Sequence, residues 1–97
     1  MRLVVFSPAA IRQYKRLPAA ARSPLKKEIH ERLALEDPTE ENRNRFRLRR
    51  FSPHADFELR VESWQAFYRV QGNLVTVELI GRKKGNLLLI GEKEFKL

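Results

Sequence analysis

The spacing of apolar residues divides the chain into a helical first part and a strand-forming second part. Between residues 8 and 36, apolar side chains recur every three or four positions, which places them on one face of a helix. From residue 57 onward, apolar and polar residues alternate, which is typical of strands with one face on a core. The two helical stripes are Ile11, Tyr14 and Leu17, followed by Leu25, Ile29 and Leu33.

Serine–proline pairs mark the expected helix starts. Ser7-Pro8 supplies a capping hydroxyl and a proline suited to the first helical turn, and predicts a helix over 8–17. Ser23-Pro24 repeats this signal for the second helix, although residues 19–22 can form an earlier turn of it. Asp37-Pro38 ends the second helix.

The strands complete an α+β domain. Residues 2–6 are β-branched and aromatic and predict a first strand, and Gly72-Asn73 is a hairpin turn between two later strands. The predicted order is β-α-α-β-β-β(-β), with two N-terminal helices packed on one face of a small, mainly antiparallel sheet. We expect the other face to be exposed and to carry Arg60, Gln65, Phe67 and Arg69.

Length and composition narrow the class of protein. The 97 residues suit a single domain over 1–97. The chain has no cysteine and two histidines, so disulfides, thiolate nucleophiles and cysteine metal sites are excluded, and we expect no metal or cofactor. No apolar run approaches the roughly 20 residues that span a bilayer, and no signal-peptide pattern is present. We therefore expect a cytoplasmic protein that does not bind membranes.

Positive charge is concentrated in one segment. Of the net charge of +8, residues 43–97 carry +6, and five arginines fall within eight positions. In an extended segment, alternation with Phe46 and Leu48 would place most guanidinium groups on one face. Arginine suits bidentate phosphate contacts, so we favour the interpretation that this segment binds an anionic partner. The alternative is that the charges only keep an edge strand solvated. The arginines are Arg43, Arg45, Arg47, Arg49 and Arg50.

Three segments carry a resemblance to a known family. They are residues 56–61 (Asp-Phe-Glu-Leu-Arg-Val), 64–70 (Trp-Gln-Ala-Phe-Tyr-Arg-Val) and 80–84 (Ile-Gly-Arg-Lys-Lys). Behind two helices in under 100 residues, this order resembles the RelE/ParE superfamily of type II toxin–antitoxin modules. Where that family has Tyr-Arg, this chain has Trp64-Gln65, and the family's late tyrosine is missing.

The resemblance implies a toxin and its partners. RelE-like members cleave mRNA in the ribosomal A site, whereas ParE-like members inhibit DNA gyrase. A small acidic antitoxin neutralises the toxin in either case, and operator DNA is bound only through the antitoxin complex. We predict a ribosome-dependent mRNA endoribonuclease that inhibits translation. The alternatives are a ParE-like gyrase inhibitor and a catalytically attenuated member that only binds.

The resemblance also implies site residues. Arg60 would stabilise the phosphate during cleavage, and Arg82 and Lys83 would stabilise charge in the transition state. His54, in the loop before the Arg60 strand, is a further catalytic candidate because histidine exchanges protons near neutral pH.

RNA contacts are expected from the arginine segment and from the exposed sheet face. Phe67 is the candidate for stacking on bases, whereas the parity of Tyr68 and Trp64 predicts core positions. The remaining RNA-binding candidates are Arg45, Arg47, Arg49, Arg50 and Arg69.

Overall fold

The computed structural model describes all 97 residues and confirms the α+β class. Two helices lie between the first strand and the other six strands of a seven-stranded sheet. The elements are β1 (Leu3–Phe6), α1 (Pro8–Lys15), α2 (Ala19–Ile29) with a π-helical continuation (His30–Leu35), β2 (Arg45–Arg47), β3 (Phe57–Val61), β4 (Trp64–Gln71), β5 (Leu74–Lys84), β6 (Leu87–Ile90) and β7 (Lys93–Glu94).

The sheet runs β2-β3-β4-β5-β6-β7, with antiparallel neighbours throughout. β1 is the exception, because it pairs parallel to residues 74–77 of β5, while β6 pairs with residues 82–84 of the same strand. β5 is therefore long enough to pair with β1 at its start and with β6 at its end. Gly72 adopts φ +59° in the β4–β5 hairpin, as expected for the turn predicted there.

The main core lies between the helices and one face of the sheet, here called the helix face. Leu25, Ile29 and Leu33 contribute the predicted helical stripe. Tyr68 is fully buried among them, and its hydroxyl donates to the carbonyl of Pro38 at 2.6 Å, so its predicted core role is confirmed. Burial raises the pKa of the Tyr68 phenol.

The two serine–proline pairs behave differently. Ser7 caps α1 as predicted: its Oγ accepts from the amide of Ala10 at 3.0 Å and donates to the carbonyl of Glu78 at 2.8 Å. The second predicted start is late, since α2 begins at Ala19 and contains Ser23-Pro24. Residues 19–22 are strong helix formers, which explains the early start. Neither helix is long and apolar enough to cross a membrane.

The opposite face of the sheet, here called the outer face, is not open as predicted. Phe67 is 0% exposed and packs with Ala55 and Leu79 in a second core. Residues 48–56 and the β6–β7 hairpin fold over it, contributing Leu48, Leu88, Ile90 and Phe95. The prediction that Phe67 stacks on RNA bases is therefore wrong, because its ring has no solvent contact.

Candidate nucleic-acid interface

Four arginines line one groove at the free edge of the sheet. Arg43, Arg47, Arg49 and Arg60 surround about 620 Å³ beside β2, the outermost strand. We call this the arginine groove; its other lining residues are Glu41, Asn42 and Phe46. All four arginines are exposed, so the groove is a cationic surface with one carboxylate.

Alternation along β2 holds the arginines in place. Arg47 lies opposite Phe57 in the register, and its guanidinium is 4.5 Å from that ring's centroid. Phe46 points to the outer face, where the Arg60 guanidinium lies 4.9 Å from its centroid. These cation–π contacts orient the guanidinium groups without using their in-plane N–H donors. Glu41, the groove's carboxylate, accepts from the backbone amide of Arg47 at 3.0 Å.

Arg60 belongs to a polar trio on the outer face. Oε2 of Glu58 accepts from Arg60 Nε at 2.8 Å and from Gln65 Nε2 at 2.6 Å. Glu58 is 5% exposed, and the Oε1 atom of Gln65 is buried without a hydrogen-bond partner. The trio therefore joins a carboxylate, a cation and an unused acceptor at the rim of the arginine groove. Glu58 was missed in the sequence, although its parity with Arg60 was a signal that the two share a face.

Arg45 is not part of the RNA surface as predicted. It is 3% exposed, because its guanidinium donates to the carbonyls of Glu40 at 2.8 Å and Arg32 at 2.7 Å and to the Glu36 carboxylate at 2.8 Å. The hydrogen bond from Arg45 to the Glu36 carboxylate is the main reason that the pKa of Glu36 is lowered. Arg45 thus ties the loop after the second helix to the edge strand.

Arg82 and Lys83, expected to act together, lie on opposite faces of the sheet. Both lie within β5 rather than after it, so their side chains alternate between faces. Arg82 lies opposite Trp64 on the helix face. Lys83 is exposed and lies on the outer face with Arg60. Arg60 pairs with Gln65, Gln65 pairs with Gly81, and Lys83 is two residues beyond Gly81 on the same face.

His54 and Arg69 lie at the other end of the outer face. Arg69 donates to the carbonyl of Pro53 and lies 3.7 Å from the Glu78 carboxylate. His54 is exposed, with its ring packed edge-on against Phe95 at 5.0 Å between centroids. Arg69 is four residues from Gln65, the partner of Arg60, which is about 13 Å along a strand. Neither His54 nor Arg69 therefore joins the Arg60 trio.

Of the predicted site residues, the structure brings Arg47, Arg49 and Arg60 together, with Arg43 added. Arg50 is exposed but does not line the groove. No three side chains of the metal-binding types His, Cys, Asp and Glu lie together. No family model, curated protein or solved structure matches the chain.

Proposed function

We propose that this chain is the toxin of a type II toxin–antitoxin module and acts on mRNA at the ribosome. The observation that carries the proposal is the arginine groove, whose lining holds four exposed arginines and one carboxylate, that of Glu41, which already accepts a hydrogen bond. The order of elements and the three resembling segments support the RelE/ParE assignment. In such a module a small acidic antitoxin neutralises the toxin, and only their complex binds operator DNA.

The groove suits an RNA backbone. Phosphate contacts supply most of the affinity of proteins for nucleic acids, and guanidinium groups make them in a planar, bidentate way. The groove is open, and two of its arginines are pre-oriented over phenylalanine rings. Such pre-orientation lowers the entropy lost when a phosphate is bound.

The Arg60 trio suits cleavage of RNA by its own 2′-hydroxyl. In this step the 2′ oxygen bonds to phosphorus and the bond to the 5′ oxygen breaks, leaving a 2′,3′-cyclic phosphate. Glu58 would take the 2′ proton, Arg60 would hold the phosphoryl oxygens, and Lys83 is the exposed ammonium on this face for the leaving oxygen.

A second candidate, binding without cleavage, is favoured by a specific observation. Arg82 and His54 lie away from Arg60, so two of the four residues expected to act together do not meet. Gln65 also replaces a cation on the catalytic strand with a neutral amide. Such a member would bind ribosomes or another target, gyrase included, without cutting mRNA.

Primer extension on a defined mRNA in a purified translation system tests the proposal. We expect cuts that require ribosomes, fall at least about a hundredfold in rate in Glu58→Gln and Arg60→Ala, and persist in Arg82→Ala, which alters the other face. Intact mRNA with folded protein would support the binding-only candidate. Inhibition of gyrase supercoiling under the same conditions would instead contradict an RNA target.

A further inference from the structure

One large aromatic side chain is left in solvent close to the arginine groove. Phe51 is 91% exposed and belongs to neither core, whereas the next most exposed large apolar residue, Met1 aside, is Leu3 at 64%. Isolated exposed apolar residues are common on protein surfaces, but this one adjoins a cationic groove. Arg49 lines that groove two residues before Phe51, so their Cα atoms are at most about 7 Å apart.

The backbone on both sides of Phe51 is held in place. Leu48 packs in the second core, and its amide donates to the carbonyl of Asp56 at 2.8 Å. Ser52, directly after Phe51, is 3% exposed, and its Oγ accepts from the amide of His54 at 3.1 Å. The ring is therefore displayed by an anchored loop, which lowers the entropy lost when a ligand packs on it.

The residues that precede the ring are cations. Arg49 and Arg50 form no ion pair with any carboxylate of the chain. Arg50 is exposed without lining the groove, so it extends the cationic surface toward Phe51. A ligand that matches this surface carries negative charge beside a flat apolar group. Single-stranded RNA has both, because each of its nucleotides joins a phosphate to a base with a π face.

We propose that Phe51 stacks on an unpaired nucleobase of the RNA whose phosphates lie in the arginine groove. The inference rests on the proposed function, because it takes RNA as the ligand of the groove and adds a base contact to the phosphate contacts. Stacking uses the face of a base and not its hydrogen-bonding edge, so Phe51 adds affinity with little preference among the four bases. Phe51 thus takes the role that was expected of the buried Phe67.

Two labelled RNA decamers separate base contacts from phosphate contacts in a fluorescence anisotropy titration. One is oligouridylate, and the other has the same sugar–phosphate backbone without bases. We expect Phe51→Ala to raise the Kd of the uridine decamer at least about fivefold and to leave the Kd of the abasic decamer unchanged. Phe51→Trp should keep the affinity for uridine, whereas Phe51→Leu, which is apolar without a π face, should not. Leu35→Ala, which removes an exposed apolar side chain at the end of the second helix, should change neither Kd.

Three results would overturn the stacking proposal. They are an unchanged Kd of the uridine decamer in Phe51→Ala, an equal loss of affinity for the abasic decamer, and full affinity for uridine in Phe51→Leu. Charge reversal in the arginine groove, by Arg47→Glu with Arg49→Glu, should weaken the binding of both decamers. If that variant loses RNA binding and Phe51→Ala does not, the groove stands and the stacking role alone is wrong. If the wild type binds neither decamer, RNA binding in the groove and stacking on Phe51 are both wrong.

Discussion

At the scale of single residues, identical side chains on one strand have different roles. Arg45 is buried with three hydrogen bonds, whereas Arg47, two positions on, is exposed in the arginine groove. Arg45→Ala should lower the free energy of unfolding by about 2–3 kcal/mol, and Arg47→Ala by less than about 1 kcal/mol. Urea titration measures both. Equal costs would contradict the assignment of Arg45 to the interior.

The partner of Arg45 gives stability a pH dependence. The pKa of Glu36 is lowered from its ordinary 4.5 in the folded protein. The ionised carboxylate therefore stabilises the fold above that pH, and this stabilisation is lost as the pH falls through the pKa of the folded state. Glu36→Gln should therefore be less stable than the wild type at pH 7, and the difference should shrink below about pH 4.5. Urea midpoints at both pH values measure this; a difference that grows in acid would show that the ion pair does not stabilise the fold.

At the scale of elements, the two serine–proline pairs make a matched test of capping. Ser7→Ala removes an acceptor at the start of α1 and a donor to β5, and should cost about 1–2 kcal/mol in the free energy of unfolding. Ser23→Ala, within α2, should cost nothing, because alanine is the better helix former. A larger loss at Ser23 would mean that α2 begins where the sequence pattern first predicted it.

Local patterns predicted the elements well and their surroundings poorly. The periodicity of two predicted that Phe67 and Tyr68 face opposite ways, and that is confirmed. It does not reveal that residues 48–56 and the β6–β7 hairpin cover Phe67, because that depends on contacts between distant segments. The resemblance gave Arg82 and Lys83 one shared role, but β5 continues through Lys84, so the two side chains alternate between faces. The burial of Arg45 depends on the loop after the second helix, and no periodicity specifies the path of that loop.

At the scale of the whole molecule, net charge and local geometry make different predictions. If the charge of +8 alone attracts RNA, any loss of four charge units should weaken binding equally. If the arginine groove is the surface that contacts RNA, the position of the lost charges decides how much RNA binding is weakened. The groove's four arginines lie at one sheet edge, whereas Lys15 and Lys26 are exposed on the helices.

The most direct measurement compares two double variants that lose the same amount of charge. Their affinity for a single-stranded RNA is measured by fluorescence anisotropy, and their binding to ribosomes by co-sedimentation. Arg47→Glu with Arg49→Glu should raise the Kd at least about tenfold and flatten its salt dependence, because phosphate contacts are lost. Lys15→Glu with Lys26→Glu should raise it less than about threefold. Equal loss in both folded variants would contradict the arginine groove as the RNA-binding site.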